Sequence, residues 1–208
     1  MGKFWEEEMM KKLIHICLWA LAVFCLAGCS KPVPDETTVS LDKTGKLTCT
    51  YVEDFTKDFY NEIDLEGEIG SEIEAEVGNY NQKFDTPHLK LELFQVEGQR
   101  AKMQLVFDEA KYYTDYTGQE LFTGTVAEAK EAGYELEGEF LDAEGSLTDL
   151  SLLANADQAK ALILDLDEVM QVEIPGKVLC VAPTSDVVIV GKNAVSVNEV
   201  KQVCIIYE

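Results

Sequence analysis

Leu89-Lys90-Leu91-Glu92-Leu93-Phe94-Gln95-Val96-Glu97-Gly98-Gln99-Arg100-Ala101-Lys102-Met103-Gln104-Leu105-Val106-Phe107 is the stretch that decides the fold. Leu89, Leu91 and Leu93 alternate with charged residues. Ala101, Met103, Leu105 and Phe107 alternate again with Lys102 and Gln104. Side chains on a strand point to opposite faces in turn, so this pattern predicts two half-buried strands. Glu97-Gly98 between them predicts the turn of a hairpin.

The same signature recurs upstream. Val39 and Leu41 lead into Asp42-Lys43-Thr44-Gly45, a turn cluster, after which Leu47, Cys49 and Tyr51 alternate with Thr48, Thr50 and Val52. Between the two hairpins, Ile69, Ile73, Val77 and Tyr80 recur at helical spacing and predict one apolar helix face. Glu68, Glu72, Glu74 and Glu76 fall mostly elsewhere on it. Gly67, Gly70 and Gly78 each weaken such a helix by roughly 1 kcal/mol relative to Ala, so it must lean on tertiary packing.

Downstream, Asp108 to Tyr116 reads as one short helix. Thr125-Val126-Ala127-Glu128 is a T-x-x-E capping box opening another, with Gly133 placed to end it. Tyr134 to Leu141 reads as a strand, and Asp142 to Asn155 as a loop with one helical turn. From Ala161 the chain is strand-rich: Leu162–Leu166, Val169–Ile174, Lys177–Val181, Val187–Val190, Ala194–Val197 and Val203–Tyr207. Pro175-Gly176 and Gly191-Lys192-Asn193 predict turns, in an antiparallel meander or a small sandwich. The fold class is α+β and rich in antiparallel β-structure. A mixed helix and strand part covers 38–155, and a short-stranded β part covers 156–208, as a second module or a β extension.

The N-terminus reads as an address. Lys11-Lys12 precede an apolar run from Leu13 to Leu26, shorter than the about 20 residues a spanning helix needs. The run ends in Leu26-Ala27-Gly28-Cys29, which resembles the bacterial lipobox. The resemblance implies cleavage before Cys29 and a diacylglycerol on its thiol. Residues 1–28 are thus expected to be a lipoprotein signal peptide. Residues 29–37, with Pro32 and Pro34, are expected to be a short tether. Glu6, Glu7 and Glu8 are unusual in a leader. Translation starting at Met9 or Met10 accounts for them, and so does a genuine acidic extension.

The chain has 208 residues, 39 acids against 17 bases, and a formal charge of -22. Such acidity argues against nucleic-acid binding, which needs a basic face. Removing residues 1–28 takes three acids and three bases, so the charge stays at -22. It also takes Trp5, Trp19, His15, Cys17 and Cys25. His88 remains as the single histidine, with Cys49, Cys180 and Cys204 beside Cys29.

The mature pattern resembles a family. Thr48-Cys49-Thr50-Tyr51-Val52-Glu53-Asp54-Phe55, Lys57-Asp58-Phe59-Tyr60, Val77-Gly78-Asn79-Tyr80-Asn81, the run from Leu121 to Ala129 up to Gly133-Tyr134, and Ile174-Pro175-Gly176-Lys177 carry the resemblance. It is similar to a group of uncharacterised lipoproteins of clostridial, Gram-positive gut bacteria. The resemblance covers most of residues 40–208. It implies a lipid-anchored position on the extracytoplasmic face of the cell membrane, and it implies no activity.

Catalytic grammar is sparse. His88, after Pro87 at a strand start, reads as an exposed loop histidine, so no Ser-His-Asp or Cys-His site is expected. Cys49, Cys180, Cys204 and His88 are too scattered in sequence for a zinc site. Cys180 and Cys204 both lie in strand-like runs and can be neighbours. Buried free thiols are preferred to a disulfide between them. Asp142-Ala143-Glu144-Gly145-Ser146 with Asp149 loosely imitates a calcium loop, and Asp165-Leu166-Asp167-Glu168 is a second acidic cluster. Neither has the full loop spacing, and solvated acidic turns are expected. Tyr112, Tyr113 and Tyr116 can form a sugar- or peptide-facing patch, but core packing is preferred.

The reading is therefore a membrane-anchored, non-enzymatic lipoprotein with no cofactor. It would act as a binding, adaptor or envelope-structural module for a protein or cell-envelope ligand. A transporter's solute-binding lipoprotein and a carboxylate-dependent extracellular hydrolase are the alternatives.

Overall fold

The structure is a computed structural model and describes residues 32–55, 62–198 and 202–208. The expected leader, Cys29 and Lys57-Asp58-Phe59-Tyr60 lie outside the described residues. The fold is α+β and β-rich. Among the described residues, 13 strands form two sheets and three α-helices accompany them.

The two N-terminal hairpins form as the alternation predicts. They are β1 (Thr38–Leu41) with β2 (Leu47–Asp54), and β3 (Leu89–Glu97) with β4 (Arg100–Phe107). They join through β2 and β4, where Leu47 opposes Phe107 and Cys49 opposes Leu105. One detail of the pattern changes. The β3–β4 register shifts between Leu91 and Leu93, so Leu93 opposes Gln104 while Phe94 opposes Met103. The bulge at Glu92 turns Leu93 away from the face of Leu89 and Leu91, and Phe94 takes its place.

Helix α1 (Glu62–Asn81) runs along β3. Its predicted face is graded. Val77 and Tyr80 are buried, Ile73 packs partly against the core, and Ile69 is exposed. Gly70 explains how closely the helix approaches, since a Cβ there would lie 3.2 Å from the Phe94 ring. Helix α2 (Ala110–Thr117) follows β4, and β5 (Leu121–Thr125) leads into α3 (Val126–Glu131). The capping box on α3 is complete: Thr125 accepts from the Glu128 N–H, and the Glu128 carboxylate accepts from the Thr125 N–H. At its other end Gly133 N–H donates to Lys130 and Tyr134 N–H to Ala129, closing a Schellman motif.

The strand expected over Tyr134–Leu141 is shorter. Only β6 (Phe140–Asp142) forms, in a hairpin with β7 (Leu147–Thr148). Beyond two 3-10 turns at Leu150–Leu152 and Ala156–Gln158 come β8 (Lys160–Asp165), β9 (Met170–Glu173), β10 (Val178–Ala182), β11 (Val187–Val190), β12 (Ala194–Val197) and β13 (Gln202–Tyr207). These match the six predicted strands to within two residues at each end.

They do not form a meander, and they do not form a separate module. The first sheet has the order β11-β12-β9-β1-β2-β4-β3, and the second β5-β8-β13-β10-β6-β7. Each sheet draws strands from both sides of the expected boundary at 155/156, and Pro34–Glu208 is one compact unit. The joint in the first sheet is the pairing of β1 with β9, where Val39 opposes Val172. That pair is parallel, the only such pair among the described strands.

Burial explains the arrangement. Val39, Leu47, Leu105, Val172 and Val195 of the first sheet share one core with Leu162, Leu164, Val181 and Ile205 of the second. The sheets thus make a sandwich. The opposite face of the second sheet is apolar as well. Ile163, Cys180, Cys204 and Ile206 pack there with Val126, Ala129, Leu136, Phe140 and Leu150. A sheet buried on both faces needs near-continuous apolar strands, and Ala161-Leu162-Ile163-Leu164 and Val203-Cys204-Ile205-Ile206 supply them.

Candidate functional site

The layer that covers the second sheet also forms a surface cleft of about 800 Å³. Leu136 and Leu150 are buried beneath it, anchored in the core of that layer. Its polar walls come from three short pieces of chain. Lys130 stands in the last turn of α3, Glu137 follows on the loop, and Asp149, Ser151, Asn155, Asp157 and Gln158 line the region of the two 3-10 turns. The pieces are tied together by backbone. The Val126 N–H donates to Ala159 O at 2.9 Å, joining the start of α3 to the end of the second turn.

Several groups here are already engaged. Lys130 Nζ lies 2.8 Å from Asp157 Oδ1. Asp149 caps the first 3-10 turn, accepting from the Ser151 N–H at 2.7 Å. Hydrogen bonds from Ser151, through its hydroxyl and then its N–H, hold the Asp149 carboxyl below the usual carboxylate range. Asn155 adopts the left-handed conformation, φ 56° and ψ 38°, with no cap hydrogen bond from its side chain. Its amide, the Gln158 amide and the Glu137 carboxylate face a solvated cleft with donors and acceptors to offer.

The cleft has the chemistry of polar recognition. Acid–base hydrolysis needs facing carboxyls whose environments push their pKa values apart. Glu168 is the carboxyl raised above its ordinary range, by burial first and then by Asp167 and Glu53. It does not line this cleft, so it does not face Asp149 across it.

The residues singled out in the sequence are dispersed. His88 is not an exposed loop residue. Its ring stacks on Tyr112 with centroids 3.9 Å apart and planes 8° from parallel, and Phe84 meets it edge-on. Its Nδ1 lies 3.3 Å from Asp108 Oδ2, and Lys46 approaches the other oxygen of that carboxylate at 3.4 Å. Asn81 decides this placement. Its side-chain oxygen accepts from the His88 and Leu89 N–H groups and its amide donates to Leu89 O, fastening the end of α1 to the start of β3. Tyr113 is buried in the main core, while Tyr112 and Tyr116 are half-buried and pack against it.

Cys180 and Cys204 lie diagonally on paired strands, since Cys180 opposes Ile206 and Cys204 opposes Ala182. Both are free, as is Cys49, which sits in the other core cluster. Burial pushes the thiols of Cys180 and Cys204 up to about 12. The Asp142–Ser146 loop is a hairpin turn. Asp142 Oδ1 accepts from the Glu144 and Ser146 N–H groups, and Gly145 takes φ 80°. The Asp42–Lys46 loop repeats this bonding, with Thr44 and Lys46 donating to Asp42 and Gly45 at φ 87°. Each aspartate is spent on its own turn, the usual use of this residue. Among the described residues no group of three or more His, Cys, Asp or Glu side chains is placed to hold a metal ion.

Sequence reasoning missed the cleft, although its residues all lie between 130 and 158. The signal was the aperiodic stretch of Asp, Ser, Asn and Gln after β7, where backbone turns present polar side chains instead of burying apolar ones. No family model, no curated protein and no solved structure matches this chain.

Proposed function

We propose that the chain is a lipid-anchored extracytoplasmic lipoprotein that acts as a binding or adaptor module, with the cleft of Lys130, Glu137, Ser151 and Asn155 receiving a polar ligand. The order of Lys11-Lys12, the apolar run and Leu26-Ala27-Gly28-Cys29 carries this reading, because that succession is what lipoprotein processing requires. The short segment after Cys29 would hold the domain close to the membrane. The cleft supports binding over turnover, since Asp149 and Asp157 are both committed as hydrogen-bond acceptors.

Expression of the full chain in a Gram-positive host with radiolabelled fatty acid tests the anchor. The wild type should carry label, sit in the membrane fraction and begin at Cys29 after processing. Cys29→Ser should lose the label and the cleavage. An unlabelled wild type, or a mature terminus elsewhere, would refute the anchor. Release of product from a cell-wall glycan by the purified protein would refute the non-catalytic part.

A further inference from the structure

Cations are distributed unevenly in this acidic chain. Ten lysines lie among the described residues. Six of them, Lys46, Lys83, Lys90, Lys102, Lys111 and Lys130, form ion pairs with carboxylates. The other four, Lys43, Lys160, Lys177 and Lys192, are exposed and form none among the described residues.

All four stand at one end of the sandwich. Lys43 is in the β1–β2 turn. β9 runs parallel to β1, so Lys177 in the β9–β10 turn emerges at the same end. Ala194 at the start of β12 opposes Glu173 at the end of β9, which puts Lys192 of the β11–β12 turn there too. In the second sheet Tyr207 opposes both Val178 and Lys160, so β8 starts at that end as well. Backbone ties the pieces together. The Val178 N–H donates to Lys192 O at 2.9 Å, and the Lys177 N–H to Glu208 O at 2.8 Å. Lys43 and Lys160 line one shallow cavity of about 350 Å³, with Gly124 and Gly176. The carboxylates nearby are mostly committed. Asp42 accepts from the Thr44 and Lys46 N–H groups, Glu128 from Thr125, and Glu173 from Ser40. Glu208 also lines the cavity and is the carboxylate that opposes the lysines there. The opposite end of the sandwich carries Glu53, Asp54, Asp165, Asp167, Glu168 and Asp186. Salt screens exposed charges beyond about 8–10 Å, so the local lysines, not the overall charge of -22, decide what this end attracts.

We propose that this end is a binding face for a linear polyanion with repeating phosphates, whose charges are shared among Lys43, Lys160, Lys177 and Lys192. A lysine ammonium is a point charge that serves phosphate from many directions, whereas planar bidentate recognition favours arginine. Arg100, the chain's single arginine, is spent on Asp54 at the opposite end. Four cations on three turns and a strand start suit a chain of charges better than one small anion. The aromatic ring in the cavity wall, Tyr207, is only 7% exposed, so the face offers phosphate contacts and no platform for stacking a base. Pro34–Thr37 lead into β1 at the end opposite these lysines. In the lipid-anchored reading the anchor joins the domain there. The choice of a soluble chain over a lipid surface therefore rests on the anchor proposed above, whereas phosphate binding itself does not.

Fluorescence anisotropy of an end-labelled linear polyphosphate, titrated with the full chain in nonionic detergent, measures it. The wild type should bind, with affinity falling as salt rises. Lys43→Gln and Lys160→Gln should each weaken binding by about fivefold, and Glu208→Gln should tighten it by about twofold. Lys102→Gln removes a paired lysine at the opposite end with the same change in net charge, and should alter binding by less than about twofold. Inorganic phosphate should compete only at concentrations about a hundredfold higher, because it engages one lysine pair at a time. Circular dichroism of each variant separates loss of the face from loss of fold. A wild type that does not bind overturns the proposal, and so does a loss on Lys102→Gln equal to that on Lys160→Gln. Inorganic phosphate competing as well as the chain overturns the shared engagement of four lysines. Tighter binding to a single-stranded oligonucleotide, or to mixed micelles carrying phosphatidylglycerol, overturns the choice of ligand.

Discussion

Replacing Asn81 by Ala should cost more than its half-buried position promises. The side chain makes three hydrogen bonds to backbone: from His88 N–H at 2.9 Å, from Leu89 N–H at 3.1 Å, and to Leu89 O at 2.7 Å. A typical bond contributes about 1 kcal/mol net, and a buried group left unpaired costs about 1–3 kcal/mol. Leu89 is 2% exposed, so its two groups are poorly placed to find water, while His88 N–H is better placed. The expected loss is about 2–3 kcal/mol, which in a domain of this size lowers Tm by roughly 5–10 °C. Urea unfolding followed by circular dichroism reads it as a lower midpoint at constant slope. Asn81→Asp separates the acceptor role from the donor role. It keeps an oxygen for both N–H groups but turns the other oxygen toward Leu89 O, so it should fall between wild type and Asn81→Ala. A loss under about 0.5 kcal/mol in Asn81→Ala would mean that α1 and β3 are held together by apolar packing alone, and would refute the reasoning.

Other expectations follow from single contacts. A Cβ at Gly176 would lie 1.9 Å from Glu208 O, so Gly176→Ala must displace the paired bonds between Lys177 and Glu208. It should destabilise by about 2 kcal/mol, with faster amide exchange at both residues. Thr125→Ala should cost about 1 kcal/mol by opening the α3 cap. The Glu128 carboxyl is held below its ordinary range by hydrogen bonds from Thr125, first its N–H and then its hydroxyl. Its contribution is therefore present above the unfolded pKa and lost as pH falls through the folded one. Glu128→Gln should accordingly be less stable than wild type at neutral pH, with the gap closing in acid. Cys49, Cys180 and Cys204 should resist Ellman's reagent at pH 8 in the native state, because burial keeps the thiols protonated and shielded. Rapid native labelling of any of the three would refute their placement.

What was legible in the chain was what depends on neighbours in sequence. Leu89, Leu105 and Phe107 announce a buried strand face by alternation, and Thr125 with Glu128 announces a helix start by reciprocal bonding across one turn. The turns at Asp42–Gly45 and Gly191–Asn193 are equally local. The bulge at Glu92 was not legible, because alternating leucines run unbroken through it and only the register against β4 reveals the slip. His88 was misjudged for a related reason. Pro87 before it looks like loop, yet Tyr112 and Phe84 pack against the ring and Asn81 holds the backbone N–H.

The candidate site was the least legible part. Its walls are turns, which carry no apolar period, and its floor is Leu136 and Leu150, whose burial depends on Cys180 and Ile206 two strands away. The sequence by itself determined an acidic, β-rich α+β chain, its hairpins, its capping box and the edges of its C-terminal strands. Only the tertiary structure decided that those strands are divided between two sheets, that β1 lies parallel to β9, and that three carboxylates gather in one cleft. The physical reason is range. Alternation and capping are settled within a few residues, whereas a strand chooses its partner by the apolar surface the whole domain must bury.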